Sequence, residues 1–418
     1  MSETIDLQLT AMAHGGSALG RHSGRVIFVP YTIPGERVRV EIVQAHTRWA
    51  RARLLEVLEP SPHRVEPPCP YFGPGKCGGC HLQHIAYEMQ AELKQQVVID
   101  QLARLGGLQE LNVQDSIGAA EPWGYRNHAQ FSLTPEGSLG FLAADGADEP
   151  REVVPIQECL ILDPLLDDLW AALDMEWPQL YRLSLRCGSA TGDLLAVFEL
   201  DHYEDFSIEV DFPVSCTLLL ADGEVVVLMG NPHLVEHVAG RDYRVSAGSF
   251  FQVNTSGAEA LVALVQEYLD PKGSDTLVDA YCGVGLFGLS LADHVERIVG
   301  VEADPSAMAD FRYNAQGLEQ VVSIEGKAQV ALAGLEGPVD LMVMDPPRAG
   351  VGKRTVGEIV RLRPRRVAYV SCDPATLARD ARELVDSGYH LQVVQPLDLF
   401  PQTFHIESVA LFVKDGSA

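Results

Sequence analysis

The stretch that decides the fold is Leu277-Val278-Asp279-Ala280-Tyr281-Cys282-Gly283-Val284-Gly285. It begins as a short apolar run of the kind found in buried strands. Its two glycines then let the backbone turn sharply and approach a ligand closely. A helical pattern follows over residues 286–292. A strand, a glycine-rich turn and a helix in this order present free backbone N–H groups to a ligand.

Strands and helices alternate around this stretch from about residue 241 onward. We predict strands at 277–281, 297–302, 321–324, 340–344, 366–371, 391–396 and 408–413, and helices at 286–292, 305–315 and 374–385. This alternation predicts a parallel, doubly wound α/β sheet with helices on both faces. Glu302 and Asp345 follow strand ends, at the edge where open α/β sheets bind ligands.

The sequence before residue 241 divides into two further units. Residues 1–60 contain short strands separated by glycine turns, which predicts a small OB-like β-barrel, a common platform for nucleic acids. A proline-rich stretch at 60–74 closes this unit, and a helical pattern with strand-like runs follows. We therefore predict three domains: a barrel at 1–60, an α+β central domain at 61–240 and the α/β domain at 241–418.

The charge is distributed unevenly. The 418 residues carry a net charge of −27, which taken alone argues against a nucleic-acid partner. However, residues 10–55 hold seven arginines and two glutamates, and residues 348–382 hold nine basic and three acidic residues. Residues 136–242 hold 22 acidic residues and four arginines. Basic patches of this kind attract a polyanion even when the net charge opposes it.

The composition also bears on the compartment. No apolar run approaches the roughly 18–20 residues of a membrane span, and the acidic N-terminus has no apolar core of the signal-peptide type. We expect a cytoplasmic protein without a membrane or an obligate protein partner. In that compartment, eight cysteines indicate metal binding or catalysis before disulfides.

Three cysteines lie within twelve residues, in the spacing Cys69-x7-Cys77-x2-Cys80. Cys159 is the best candidate for a fourth ligand. Four thiolates can hold zinc or a [4Fe–4S] cluster, and the spacing alone does not distinguish the two. Other cysteines read as packing residues: Cys187 and Cys216 lie in apolar runs, and we favour packing for Cys282 as well.

Cys372 follows a predicted strand at the ligand edge and precedes a helix. The helix start and the nearby Arg379 and Arg382 are expected to lower its pKa. If the ligand at this edge is a methyl donor, a thiolate here suits methylation of uracil C5, because addition to C6 turns C5 into a nucleophile. A base must then remove the C5 proton, and Glu407, at the start of the last strand, is a suitable carboxylate.

These patterns resemble known families. Asp279-x-x-Cys282-Gly-x-Gly285, with Glu302 and Asp345-Pro-Pro, resembles the class I S-adenosylmethionine (SAM) methyltransferases rather than NAD enzymes. The segments 371–380, 405–409, 250–254 and 345–350 resemble motifs of the RNA 5-methyluridine methyltransferase family. The resemblance implies that Cys372 attacks C6 and Glu407 deprotonates C5. It also implies that SAM contacts come from Gln252, Tyr281, Glu302 and Asp345, and that Asp345 also orients the uracil.

The resemblance extends over nearly the whole chain. Cys77-Gly-Gly-Cys-His-Leu-Gln-His84 resembles the iron–sulfur segment of the same family, which implies a [4Fe–4S] cluster on Cys69, Cys77, Cys80 and Cys159. The barrel resembles the RNA-binding TRAM domain, and Arg126 resembles a position near the target base. TRAM and cluster together favour 23S ribosomal RNA as substrate over tRNA. Two positions depart from the family, Leu286 and Asp373, where asparagine is usual.

Other functions remain open at this point. Cytidine methylation is disfavoured because no Pro-Cys dipeptide follows the fourth strand. One alternative is a tRNA uridine C5-methyltransferase. Another is a catalytically inactive iron–sulfur RNA-binding assembly factor, against which the intact Cys372 and Glu407 count. A small-molecule or protein methyltransferase would suit the net charge but not the basic patches.

Overall fold

The N-terminal unit is a closed barrel. The computed structural model describes residues 3–144, 152–173, 180–201 and 209–414. Apolar side chains alternate along the strands, so that Leu7, Leu9, Val38 and Val40 fill the barrel interior. The strands join in the order β1-β2-β3-β5-β4, which confirms the predicted barrel. Their bounds are β1 (Thr4–Met12), β2 (Ala18–His22), β3 (Arg25–Val29), β4 (Arg37–Ala45) and β5 (Trp49–Glu59).

The central unit is built on a seven-stranded sheet with a helix against it. The sheet has the order β12-β11-β10-β9-β6-β7-β8, and α2 packs on β9 and β10. A separate hairpin, β13–β14, leads into the C-terminal unit. The bounds are α1 (Tyr87–Arg104), β6 (His128–Leu133), β7 (Leu139–Leu142), β8 (Val153–Pro155), α2 (Pro164–Ala172), β9 (Arg182–Cys187), β10 (Leu194–Leu200), β11 (Ser215–Leu220), β12 (Val225–Met229), β13 (His233–Val238) and β14 (Arg241–Ser246).

The C-terminal unit contains a second seven-stranded sheet, ordered β17-β16-β15-β18-β19-β21-β20. Helices cover both faces and create two large apolar clusters. The bounds are α3 (Thr255–Leu269), β15 (Thr276–Ala280), α4 (Leu286–Ser290), a 3-10 turn (Ala292–His294), β16 (Arg297–Glu302), α5 (Pro305–Asn314), β17 (Val321–Glu325), α6 (Ala328–Ala333), β18 (Leu341–Met344), α7 (Gly352–Leu362), β19 (Arg366–Ser371), α8 (Pro374–Asp386), β20 (Tyr389–Leu397) and β21 (Glu407–Lys414).

This sheet is only partly parallel, which differs from the prediction. β17, β16, β15, β18 and β19 are parallel, but β21 runs antiparallel to both β19 and β20. A parallel connection needs a crossover of a dozen or more residues, usually a helix. The link from β20 to β21 is the shorter loop 398–406, so β21 returns antiparallel and inserts between its neighbours. The insertion brings the start of β21 beside the end of β19.

Helix α1 packs on the C-terminal unit, although its sequence lies within the predicted central domain. Val97, Val98 and Leu102 join the apolar cluster that contains the strands of the C-terminal sheet, and α1 contacts α8. The predicted boundaries at residues 60 and 240 remain predictions. Within the described ranges, no helix combines the length and hydropathy needed to cross a bilayer.

Candidate active site

Several strands of the C-terminal sheet place polar residues at one edge. β16, β15, β18 and β19 are adjacent and parallel, so the residues at their carboxyl ends meet. Those residues are Glu302 on β16, Tyr281 after β15, Asp345 after β18 and Cys372 after β19. Glu407 opens β21 beside Cys372, because Ser371 and Ser408 pair across the two strands. The structure thus brings together both predicted catalytic residues and three predicted SAM contacts.

The glycine-rich turn after β15 is held by a carboxylate. The Glu302 Oε2 atom accepts a hydrogen bond of 3.0 Å from the backbone N–H of Gly283, while Oε1 accepts from the N–H of Ala303 and Asp304. Gly285 has φ +104°, where a Cβ atom would lie 2.5 Å from a methyl of Leu289. Only glycine adopts this conformation without strain, so the turn keeps its shape at the helix start.

Asp279 lies beneath this turn and is fully buried. Its Oδ2 atom accepts a hydrogen bond of 2.7 Å from the N–H of Gly288, but its buried Oδ1 atom has no partner among the described residues. Burial, with smaller effects from the charges of Asp345 and Glu302, raises the pKa of Asp279 to about 7. A buried acceptor without a donor, beside a glycine turn, fits a ligand that carries hydrogen-bond donors.

Gln252 reaches the same edge from the segment before α3. Its Nε2 atom donates a hydrogen bond of 3.2 Å to Oδ2 of Asp345. The Gln252 peptide is in turn fixed by Asn127, whose Nδ2 atom donates to the Gln252 carbonyl oxygen at 3.3 Å and to Oε1 of Glu236 at 2.8 Å. Gln252, a predicted SAM contact, therefore lies beside Asp345, another predicted SAM contact.

The Cys372 thiol differs from the expectation. We predicted that the helix start and nearby arginines would lower its pKa, but burial and the charges of Glu407 and Asp345 raise it to about 12. The cation that opposes this rise is Arg348. The physical reason is that the carboxylates across the strand edge lie close to a partly buried sulfur. The thiol is therefore largely protonated in the absence of substrate.

Glu407 and Asp345 form a desolvated carboxyl pair. Glu407 is 2 % exposed, and burial, with the charge of Asp345, raises its pKa well above the usual range. Burial also raises the pKa of Asp345 to about 7. Because burial disfavours the ionised form of both groups, and the charge of Asp345 further disfavours ionisation of Glu407, the pair holds a proton near neutral pH. The arrangement can therefore exchange protons with a thiol and with a substrate carbon.

The two departures from the family pattern have clear structural roles. Leu286 begins α4 and its side chain is packed among apolar side chains, so it offers no polar side-chain group to a ligand. Asp373 caps α8, because its Oδ1 atom accepts hydrogen bonds from the N–H groups of Ala375 and Thr376. Such a cap contributes about 1 kcal/mol. Oδ2 of Asp373 lies 3.9 Å from Nε2 of His14, on a barrel loop.

The remaining cysteines fall into a buried group and a group that lines one cavity. Cys187, Cys216 and Cys282 are buried in apolar clusters. The other four line one cavity of about 580 Å³: Cys69, Cys77, Cys80 and Cys159. Burial raises the pKa of Cys80 and of Cys159 to about 12, and the Gly79 N–H donates to Sγ of Cys77 at 3.4 Å.

The geometry of the four cavity cysteines bears on the predicted cluster. In the part of the chain that the structure describes, no three cysteine, histidine, aspartate or glutamate side chains form a group that could hold one metal ion. The four thiols nevertheless face a common cavity. Arg126, His81 and His405 line the same cavity, and His81 packs against Phe404, with ring centroids 4.4 Å apart. The cavity wall thus continues toward the loop that leads to Glu407.

That loop, residues 398–406, is braced by residues that the sequence analysis missed. Lys94 on α1 donates to Oδ1 of Asp398 at 2.6 Å and to the carbonyl oxygen of Phe400 at 3.1 Å. The Tyr125 hydroxyl donates to the carbonyl oxygen of Pro401 at 3.0 Å. A signal for Lys94 was present, because it lies one residue after Leu93 on the apolar stripe of α1. A lysine in such a stripe needs a buried partner.

Family models match two parts of the chain. Residues 2–55 match the TRAM domain, and residues 229–325 and 330–415 match the tRNA (Uracil-5-)-methyltransferase model. The first match covers the barrel, and the second covers the C-terminal sheet with Cys372 and Glu407. SAM is the methyl donor in this fold, which agrees with the glycine turn and the strand-end residues.

Relatives and solved structures match over almost the full length. A Streptomyces avermitilis protein named "Uncharacterized RNA methyltransferase" is 36% identical, covering 98% of each chain. A similarly named protein of Thermosynechococcus vestitus is 35% identical, covering 98% of this chain and 97% of the relative. The tRNA (uracil-54, C5)-methyltransferase of Pyrococcus abyssi, solved with S-adenosyl-L-homocysteine, has a TM-score of 0.76 and 25% identity, covering 99% of this chain and all of that one. The chain therefore belongs to the RNA uracil-5-methyltransferase family, with an N-terminal TRAM domain.

Proposed function

We propose that the chain methylates C5 of a uridine in 23S ribosomal RNA through a covalent adduct at Cys372. The observation that carries this proposal is the position of Cys372 beside Glu407, across the β19–β21 pair. One nucleophile and one base at the edge of a SAM-binding sheet are the two groups that uracil C5 methylation needs. When bound, SAM supplies an electrophilic methyl group.

The residues act in a fixed order in this mechanism. Cys372 passes its proton to Asp345, and the sulfur forms a bond to C6 of the uracil. The C5–C6 double-bond electrons move to C5 and the O4 carbonyl, and C5 would then take the methyl group as the bond between that group and the SAM sulfur breaks. Glu407 takes the proton from C5, the C5–C6 double bond reforms, and the C6–S bond of the protein adduct breaks. The released thiolate recovers a proton, so that the net products are 5-methyluridine, S-adenosylhomocysteine and one proton.

The raised pKa values suit these roles. A thiol with a pKa of about 12 is a weak nucleophile until a base removes its proton, and Asp345 is close enough to influence it. Glu407, once ionised, is a stronger base than an exposed glutamate, because burial raises its pKa. Gln252, Tyr281 and Glu302, together with Asp345, would hold SAM at the strand ends.

We also propose that Cys69, Cys77, Cys80 and Cys159 hold a [4Fe–4S] cluster. Support comes from their convergence on one cavity of about 580 Å³, a space larger than a single ion requires. The glycines between Cys77 and Cys80 leave backbone N–H groups available to sulfur, as the Gly79 contact illustrates. The cluster would order the cavity wall that carries Arg126 and His81.

A tRNA is the second candidate substrate. The TRAM domain and the cysteine segment favoured ribosomal RNA in the sequence analysis. However, the Pyrococcus abyssi enzyme is named as a methyltransferase of a tRNA uracil. It aligns with 99% of this chain, which includes the barrel. The presence of both N-terminal units is therefore compatible with either RNA. In both cases the target base must leave its stack to reach Cys372.

The test is methyl transfer from labelled SAM to unmodified ribosomal RNA and to tRNA, each digested to nucleosides. We expect labelled 5-methyluridine from ribosomal RNA and none with Cys372→Ala. Glu407→Gln should accumulate a protein–RNA adduct that survives denaturing electrophoresis, because the C5 proton cannot leave. Label from tRNA alone would replace the substrate. No label and no adduct with either RNA would favour the inactive assembly factor.

A further inference from the structure

Two turns form the end of the barrel that is remote from the active site. One joins β2 to β3 and the other joins β4 to β5. They lie side by side, because Val26 pairs with Trp49 in a parallel register and the Val26 N–H donates to the carbonyl oxygen of Arg48 at 3.1 Å. We call residues 21–28 and 44–52 the barrel tip.

The barrel tip is strongly basic. Its two segments contain no aspartate or glutamate, in a protein with a net charge of −27. Among the residues that the structure describes, none of its arginines has a carboxylate partner. The tip arginines are Arg21, Arg25, Arg48 and Arg51.

The other arginines of the barrel and its C-terminal flank are paired. Arg37 and Arg39 contact Asp6, and Arg53 contacts Glu41. Arg64, just after the barrel, pairs with Glu36. Positive charge without compensation is therefore concentrated at the tip.

An aromatic platform lies within this charge. The Trp49 and His46 rings are stacked, with centroids 4.0 Å apart and planes inclined by 26°. Phe28 meets Trp49 edge-on at 6.4 Å, and the Arg51 guanidinium lies 5.9 Å from the Trp49 ring centroid. His46, Arg48 and Arg51 are exposed, and Trp49 is partly exposed. Exposed aromatic rings among unpaired arginines are the elements that bind single-stranded nucleic acids.

The platform is separated from the active site by the length of the barrel. At the opposite end, Gly16 packs on Phe404, where a Cβ atom would come within 2.9 Å. β2 leads from that end to the tip over five residues, or roughly 17 Å at about 3.3 Å per residue. This length corresponds to about five nucleotides at the roughly 3.4 Å spacing of stacked bases.

We propose that the barrel tip binds an unpaired stretch of the substrate RNA, with a base stacked on the Trp49–His46 platform. The bound stretch lies about five or more nucleotides from the target uridine. The arginines contact phosphates on either side of the stacked base. The proposal rests on RNA being the substrate, and it makes the tip a second recognition point outside the target loop.

The experiment measures RNA affinity of the full chain, in the presence of S-adenosylhomocysteine and as a function of salt. The probes are a labelled single-stranded RNA of about 25 nucleotides with a central uridine and one of about six nucleotides. Trp49→Ala should weaken binding of the longer RNA about tenfold and leave the shorter one unchanged. Trp49→Phe, which keeps a ring, should restore most of the affinity. Thermal melting checks that each variant is folded.

Arg51 and Arg53 supply a matched pair, since both are exposed and lie two residues apart on β5. Each substitution by alanine removes one positive charge, but only Arg53 is compensated by a carboxylate. Arg51→Ala should reduce the slope of log affinity against log salt by about 0.7. Arg53→Ala should leave it unchanged.

Two results would overturn the proposal: wild-type affinity of Trp49→Ala for the longer RNA, or an equal loss with both RNAs. If the proposed function fails, the wild-type chain transfers no methyl group to RNA. Failure of the tip proposal is a separate result, because the binding difference between Trp49→Ala and wild type is measured without turnover.

Discussion

Lys94→Met should destabilise the protein strongly and should impair the site through the loop 398–406. The ammonium of Lys94 and the carboxylate of Asp398 are 3 % and 0 % exposed, with 2.6 Å between Nζ and Oδ1. The second oxygen of Asp398 has no partner among the described residues. The substitution thus leaves a buried carboxylate without its cation, which costs about 3–5 kcal/mol. For a unit of this size, that loss lowers the melting temperature by about 10 °C.

The assay is thermal and urea unfolding of four proteins: wild type, Lys94→Met, Asp398→Asn and the double variant. Because the second substitution removes the orphaned charge, the double variant should be more stable than Lys94→Met, with a coupling energy of about 2 kcal/mol or more. Arg104→Ala is the matched control on the same helix, since its pair with Asp100 is exposed and is worth less than about 1 kcal/mol.

Activity supplies the second readout. Lys94 also holds the carbonyl oxygen of Phe400, on the loop that leads to Glu407. Methyl transfer at a temperature where the variant is folded should therefore fall more than its affinity for S-adenosylhomocysteine does. The reasoning is refuted if Lys94→Met loses no more stability than Arg104→Ala, or if the two single losses simply add.

Four further substitutions test the SAM site and the packing of the C-terminal unit. Asn127→Ala removes the donor that fixes the peptide of a predicted SAM contact; it should weaken S-adenosylhomocysteine binding about tenfold, and calorimetry showing unchanged affinity would contradict this. The pKa of the Asp345 carboxyl is raised to about 7 in the folded protein, whereas in the unfolded chain it is about 4. Between these pH values the folded protein therefore binds a proton that the unfolded chain has released. Stability of the unliganded protein should consequently fall as pH rises from about 4 through 7, and Asp345→Asn should flatten this decline in melting temperature. Gly300→Ala would place a Cβ atom 2.2 Å from the ring of Phe311 and should cost about 1–3 kcal/mol in urea unfolding. Gly357→Ala, in α7 with open space around it, should instead stabilise by about 0.5–1 kcal/mol.

Strands and helices were predicted correctly where a local sequence pattern determines the structure. The strand before the glycine turn and the segments 297–302 and 366–371 were placed correctly, because buried parallel strands are continuous apolar runs between turn residues. The barrel was recognised from its alternating strands. Cys159 and Glu407 were chosen as candidates by residue type and position and were then supported by motif resemblance, since no local pattern measures their distances to Cys80 or Cys372.

The failures concern long-range effects. The antiparallel insertion of β21 depends on the length of one loop. A local feature was also overlooked: the α7 helix over residues 352–362, whose apolar residues have helical spacing. The acidity of Cys372 was misjudged, because burial and, secondarily, the charges of Glu407 and Asp345 raise its pKa. The partner of Lys94 lies 304 residues away. A local sequence pattern cannot predict an ion pair between residues this far apart.

The loop 398–406 has a consequence for how the protein can be divided. Its supports include Gly16 of the barrel, His81 beside the cavity cysteines, Lys94 of α1 and Tyr125 before β6. A fragment of residues 241–418 would keep every residue assigned to methyl transfer and lose these four supports. The units are therefore not interchangeable modules. A barrel transplanted from a relative must therefore offer a surface that fits Phe404, as Gly16 does here.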